Sequence, residues 1–290
     1  DHASGRFKAR LAPSAHLSLM SSFTHLHVAS AFSGHYGVTR PEAMAEASAA
    51  QGFSALAITD RDGLYGAVKH IGACLQLGIT PIVGVDLTVF DDDGSSLGRC
   101  VILAHGNNKG AGWATLCKIV STAHSKRLAT RSSKKEIGIG RRMLAELLAN
   151  GNCTLLLGPD SDVGRAVVSG NRDHAEDLLE NWQGLFNYPG TFAIEIVSHL
   201  TEPGTSCSSV QARRMVELAD AHKIPAVLTN AVRYLEPDDA LTADVLDAAR
   251  NLEALGLFES QPNAQAWLKP QAKMLALAIE ITEDRARAIE

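Results

Sequence analysis

From residue 23 onward, short β-branched runs alternate with segments of helical character, and this alternation constrains the fold more than any other feature of the chain. "FTHLHV" (23–28) reads as a strand. The helix after it begins with a capping-box spacing, Thr39 to Glu42, and has Pro41 in its first turn. "ALAIT" (55–59) is apolar without interruption, the mark of a strand buried on both faces. Asp62 and Gly63 turn the chain into the helix "LYGAVKHIGACLQLG", which Gly78 closes. A strand at "ITPIVGV", a hairpin across "DDDGSS" into "RCVILAH", and the helix "GWATLCKIVSTAH" come next. Then follow the strand "CTLLLG" (153–158), helical stretches over about 160–185, the strand "TFAIEIV" (191–197), the helix "SVQARRMVELADAHK" and the strand "PAVLTN" (225–230). The order predicts an α/β fold with a mostly parallel sheet and helices outside it, and about seven strands favour a barrel over an open sheet. The part from Pro237 onward, 237–290, reads as a helical connection with a break near "SQPNAQ", leaving 20–236 as the main domain.

Composition narrows the class. The chain has 290 residues, 46% hydrophobic and 20% charged, the balance of an ordinary globular protein with a sizeable core. No apolar run reaches the roughly 20 residues of a membrane span. Cys74, Cys100, Cys117, Cys153 and Cys207 have no paired spacing, which argues against a zinc ribbon or disulfide framework and fits a reducing cytoplasm. The first 19 residues lack hydrophobic periodicity and the apolar stretch of a secretory signal, and Asp1 is no natural initiator. They read as a leader outside the fold, with Met20 as the natural start.

Net charge is −5, so the whole molecule has no field that would draw in nucleic acid. One segment departs from this. "SKRLATRSSKKEIGIGRR" carries Lys126, Arg127, Arg131, Lys134, Lys135, Arg141 and Arg142 against the single acid Glu136. Such a run is usually a solvated face, and a phosphate-contacting loop is the alternative. On that alternative, Lys126, Arg127, Arg131, Lys134 and Lys135 are the candidate nucleic-acid-binding residues. Trp113 and Trp182 sit at helical positions and read as packing residues before base-stacking platforms. Gly158, Gly164 and Gly170 form no phosphate-cradling loop.

In parallel α/β folds the chemistry gathers at the carboxyl ends of the strands. The polar residues there are His25, His27, Asp60 to Asp62, Asp86, His105, Glu195, His199 and Asn230 to Arg233. Two histidines two apart on a strand point to one face, which suits a metal, although many such pairs are only hydrogen-bonded core residues. Acids and histidines at the ends of four other strand-like runs add to the case for a metal centre. Glu195, flanked by apolar residues, reads as an anchor behind the site or as the partner of an arginine.

"FTHLHVASAFS", "ALAITDRDGLYGAVKHIGACLQLGITPIVGVDL", "FAIEIVSH" and "IPAVLTNAVRYLEPDDALTADVLDAAR" together resemble the polymerase and histidinol phosphatase (PHP) domain. The resemblance is to the version carried by bacterial DNA polymerase III alpha subunits, and in detail to actinobacterial accessory or error-prone types. It implies a distorted (β/α)7 barrel with three metal ions held by histidines and carboxylates. Such ions lower the pKa of a bridging water and stabilise charge on a phosphoester, in some polymerases for 3′–5′ proofreading. It also implies the remaining polymerase domains, with their Mg²⁺-dependent site, primer-template DNA, a sliding clamp and a proofreading subunit as partners.

This chain departs from the family pattern at several positions. His25, His27, Asp60, Asp62 and His199 match it, and the bridging Glu is Asp86. The next His falls on Ala29, the following Asp on Tyr36 with His35 beside it, one His on Arg61, and the last motif reads Asn230, Ala231, Val232, Arg233. An arginine has no lone pair to give and stays charged. At about 4 Å and an effective dielectric near 20 it repels a unit charge by roughly 4 kcal/mol, and a divalent ion by about twice that. The expectation is therefore a vestigial site on His25, His27, Asp60, Asp86 and His199, with Arg61 and Arg233 replacing the cations by pairing with Asp60, Asp62 or Asp86. The alternatives are one residual Zn or Mn ion on His25, His27 and a carboxylate, or an active metal-dependent phosphoesterase of exonuclease or histidinol-phosphatase type, with His35, His105 or His124 filling the vacancies.

Overall fold

In β2 (Thr80–Phe90), residues 85, 87 and 89 point outward into the main core, while 82, 84, 86 and 88 point inward, the period-2 alternation of a strand between two environments. The computed structural model describes residues 23–106, 109–129, 137–186, 190–255 and 257–284. The leader 1–19 and Met20 lie outside these, as do Arg131, Lys134, Lys135 and the side chains of Lys126 and Arg127. Seven strands are described: β1 (Ala55–Arg61), β2, β3 (Ser96–Ala104), β4 (Gly138–Gly140), β5 (Cys153–Ser161), β6 (Phe192–Val197) and β7 (Ala226–Thr229). The helices are α1 (Pro41–Ala50), α2 (Ala67–Leu77), α3 (Ala111–Ala129), α4 (Arg141–Leu148), α5 (Asp162–Val168), α6 (Arg172–Gln183), α7 (Ser209–Ala221), α8 (Ala240–Asn251) and α9 (Gln271–Thr282).

The sheet runs β1-β2-β3-β5-β6-β7, with β4 beside β2. It is parallel except at β3, which returns from the hairpin antiparallel to both β2 and β5. The α/β prediction stands, in the form of a curled sheet with one reversed strand. The segment 25–29 joins its two edges. His25 and Val28 carbonyls accept from Ala57 and Thr59, while the His27 carbonyl accepts from Val232 N and Ala29 N donates to Val232 O. "FTHLHV" is thus an extended segment with one bridge, Val28 to Val232, because its hydrogen bonds are split between two neighbours. The Thr39–Glu42 capping box does not form: Arg40 is the N-cap, without a side-chain cap, and Glu42 pairs with Lys69.

Packing follows the alternation. Outward residues such as Leu87, Ile102, Leu155 and Ile194 meet Leu116, Ile119 and Leu179 from the helices and the buried Trp182. Trp113, expected to pack, is exposed. Inward residues Val101, Leu103, Leu156 and Ala193, with Ile82 and Val227, fill the barrel's lower interior. Toward the carboxyl ends of the parallel strands, the same inward face turns polar. From the part after Pro237, Met274, Leu277 and Ile281 of α9 lie in the main core.

Candidate functional site

The polar layer above the apolar floor carries Asp86 from β2, Arg99 from β3, Glu195 from β6 and Thr229 from β7. Arg61 closes β1 beside them, and His27 enters from the opening segment. Asp86 is 2% exposed, and each of its carboxylate oxygens is taken by a guanidinium. Arg61 Nε donates to Oδ2 at 3.1 Å and Arg99 Nε to Oδ1 at 3.0 Å. Arg99 further donates to Thr88 Oγ1 at 3.1 Å, Asp62 Oδ1 at 3.0 Å and the Asp86 carbonyl at 2.8 Å. Burial would lift the Asp86 carboxyl, but Arg99 and Arg61 outweigh it and hold the group below the usual carboxylate range.

Arg99 was not among the residues expected from the sequence. Because β3 is antiparallel, its amino half, not its carboxyl end, reaches the site. For the same reason His105 lies at the opposite end of the sheet, bonded to Thr154 Oγ1 near the start of β5 at 2.7 Å. The hairpin read across "DDDGSS" carried the signal for both.

The histidines do not converge. His27 Nδ1 meets Glu195 Oε1 at 2.7 Å, and Thr229 Oγ1 donates to the same oxygen at 2.6 Å. Burial opposes charge on His27, yet the Glu195 and Asp86 carboxylates raise its pKa. Gly158 makes this possible, since a Cβ there would strike the Glu195 carboxylate. His25 instead donates Nε2 to the Lys269 carbonyl at 2.8 Å between the rings of Phe23 and Phe53, and burial pushes its pKa down to about 4. His199 donates Nε2 to the Asn230 carbonyl at 2.8 Å, and burial lowers it to about 4 as well. His35 is exposed, and His124 Nε2 donates to the Asp62 carbonyl at 2.6 Å.

Asp60 faces away from Arg61, as neighbours on a strand must. It accepts from Ser30 N at 2.7 Å, Ser30 Oγ at 3.0 Å and Ser33 Oγ at 2.8 Å, tying down the loop after the opening segment, and burial pushes its carboxyl up. Arg233 pairs with none of the three expected acids. Its partner is the buried Asp247 of α8, 2.9 Å from Nη2, and it also donates to the Tyr36 carbonyl. Arg250 Nη2 lies 2.9 Å from the other Asp247 oxygen.

Tyr36 ties these pairs together. The guanidinium carbons of Arg61 and Arg233 lie 3.3 and 4.0 Å from its ring centroid. Two groups that near on one face would overlap, so they stand on opposite faces. Residues 261–269 cover the strand ends: Asn230 Nδ2 donates to the carbonyls of Gln265 and Trp267, Asn263 Nδ2 to that of His199, and Lys269 Nζ to Asn230 Oδ1 at 3.0 Å. Lys269 has no carboxylate partner among the described residues, and burial brings its pKa down to about 8. Beneath this cover lies a cavity of about 220 Å³ lined by His27, Tyr36, Arg61, Asp86, Glu195, His199 and Arg233 among others. Among the described residues, no group of three or more His, Cys, Asp or Glu side chains is placed to hold a metal ion. Nor is any described helix long and apolar enough to cross a membrane.

A curled α/β sheet with polar residues collected at its strand ends defines the class of the PHP-type scaffolds. The chain belongs to the PHP domain family, which it matches over residues 25–199. It is 28% identical over 274 residues to the DNA polymerase III subunit alpha of Buchnera aphidicola subsp. Schizaphis graminum, covering 93% of this chain and 22% of that protein. The Escherichia coli K12 subunit is 29% identical over 271 residues, covering 92% and 22%. A solved chain from Bifidobacterium adolescentis, described as a metal-dependent phosphoesterase, overlays with a TM-score of 0.45 at 13% identity, covering 73% of this chain and 87% of that one. The chain thus spans 22% of the length of these polymerase relatives.

Proposed function

We propose that this is the PHP domain of a polymerase III alpha-type DNA polymerase, acting in replication or translesion repair synthesis in the cytoplasm, and that it braces the polymerase core instead of serving as a 3′–5′ exonuclease. The observation that carries the reading is the double capture of Asp86 by Arg61 and Arg99. The donor set does not fit the family's metal ions. Both Asp86 oxygens already accept from guanidiniums, His25 Nε2 is turned to the Lys269 carbonyl, and the fixed charge of Arg61 and Arg99 beside Asp86 would repel a divalent ion there. On this reading Arg61, Arg99 and Arg233 take over the metals' structural work of holding buried carboxylates together. The nucleotidyl-transfer site with its Mg²⁺, and the contacts to primer-template DNA, clamp and proofreading subunit, belong to the longer polymerase.

The surface we assign to contact with the rest of the polymerase is the apolar patch of α8 and the turn after it. Leu241, Val245, Leu252, Leu255 and Leu257 are all exposed there. Leu252 is 93% exposed and sits at φ 58° as the helix C-cap, where glycine or asparagine is easier. A leucine unfavourable in both respects supports a contact that uses its side chain.

Elemental analysis of protein purified without chelator tests the reading. Near-zero Zn, Mn and Fe with no nuclease activity is expected; two or more ions per chain with 3′–5′ degradation of labelled DNA would overturn it. Arg61→His combined with Arg233→His is expected not to restore nuclease activity, since Ala29, Tyr36 and Ala231 still lack ligating groups.

A further inference from the structure

The arginines that hold the carboxylates are not used up by them. Arg61 gives Asp86 only its Nε, so neither terminal nitrogen has an acceptor among the described residues. Arg233 gives Nε and Nη2 to Tyr36 O and Asp247, which leaves Nη1 in the same condition. Both side chains line the 220 Å³ cavity, and Arg233 is only 6% exposed. The acids beside them already have cationic partners: two guanidiniums hydrogen-bond Asp86, and Asp247 is ion-paired with Arg233 and Arg250. Two further acids line the wall: Glu195, whose Oε1 is taken by His27 and Thr229, and Asp160, which is exposed and accepts weakly from Ser206 Oγ at 3.5 Å.

The cavity also continues outward. Arg61, Arg99, Pro159, Asp160 and Ser206 are shared with a more open groove of about 510 Å³ that adds Arg165 and Ser96. A small anionic group could sit inside while the molecule carrying it lies in the groove. Planar guanidinium forks favour oxyanions with several acceptor oxygens, and they bind most strongly where water is scarce.

We infer that the cavity is a metal-independent receptor for a phosphate group, held by the terminal nitrogens of Arg61 and by Arg233 Nη1, with the groove past Arg165 receiving whatever carries the phosphate. The inference rests on the reading that guanidiniums stand in place of metals. Its ligand is inorganic phosphate or a phosphomonoester, and the test separates these sources.

The full chain is titrated calorimetrically with sodium phosphate in EDTA at fixed ionic strength, with chloride as control, and then with a deoxynucleoside monophosphate. Saturable phosphate binding is expected. Arg61→Lys, which keeps the charge beside Asp86 but loses the fork, is expected to weaken it at least tenfold with an unchanged circular dichroism spectrum. Arg165→Ala is expected to weaken the nucleotide severalfold and leave inorganic phosphate unaffected; equal effects on both would remove the groove from the proposal. If Arg61→Lys does not fold, the arginine side-chain N–H resonances of the unmodified protein must shift on adding phosphate. Metal-free protein that shows no saturable binding overturns this inference alone. Binding abolished by EDTA in protein that carries metal overturns the metal-free reading as well.

Discussion

The guanidinium carbon of Arg61 lies 3.3 Å from the ring centroid of Tyr36, and Arg233 occupies the opposite face. Each cation–π contact contributes about 0.5–2 kcal/mol depending on desolvation. Tyr36→Phe is therefore expected to be nearly neutral, whereas Tyr36→Leu should destabilise by about 2 kcal/mol in urea denaturation. A double-mutant cycle with Arg61→Met should show positive coupling; additivity would mean that the ring only fills space.

Asp86 sits between two positive charges in a nearly dry setting. Removing one member of a buried ionic cluster leaves uncompensated charge at a cost of about 3–5 kcal/mol. Asp86→Asn should lose that much, and Arg99→Met more than Arg61→Met, because Arg99 also ties Asp62 and Thr88. A loss below about 1 kcal/mol for Asp86→Asn would show that the cluster does not brace the strand ends.

The His27–Glu195 pair gives stability a pH dependence. The folded pKa of His27 is raised above its ordinary 6.5, so its contribution is complete below pH 6.5 and is lost as pH rises through the folded value. His25 and His199, with lowered pKa values, act in the opposite direction, so the His27 contribution is read as a difference: the urea midpoint of the unmodified protein relative to His27→Gln should fall on going from pH 6 to pH 8. Asp86 acts at the other end: its lowered pKa adds stability above the ordinary carboxylate range that is lost as pH falls through the folded value.

Lys269 has the opposite sign from His27. With a folded pKa of about 8 against an ordinary 10.5, the unfolded chain binds the extra proton between those values, so stability rises with pH across that window. Lys269→Met should abolish the rise. A rise that persists in the variant assigns it to another group.

Leu252 offers a test that separates folding from assembly. Leu252→Asn suits the left-handed backbone and should leave this chain's unfolding free energy unchanged or raise it by up to about 1 kcal/mol. In the longer polymerase the same change, combined with Leu257→Asp, is expected to lower the thermal midpoint or the activity. No change there would remove the α8 patch as a contact surface.

Most of the strands were legible because an uninterrupted apolar run such as 55–59 has few other ways to be buried. The site was only partly legible. Asp60, Arg61 and Asp62 are consecutive, yet the pleat sends Asp60 to the Ser30–Ser33 loop and Arg61 to Asp86, while Asp62, past the strand end at φ 61°, turns back to Arg99. Arg99 and His105 exchanged roles because strand direction, not position along the strand, decides which end meets the pocket. Asp247 and Lys269 had no local signature at all; their partners lie 14 and 39 residues away in sequence.

The stretch at 261–269 that roofs the strand ends bears on how short this protein can be made. The family match ends at residue 199, but Thr229, Asn230, Arg233, Asp247 and Lys269 all complete the polar layer from beyond it. A gene truncated after Glu236 would strand a buried arginine without its acid and leave the Asn230 amide without its two carbonyls. Such a product is expected to be insoluble where the chain carried through Thr282 is not, which parallel expression of the two lengths would check.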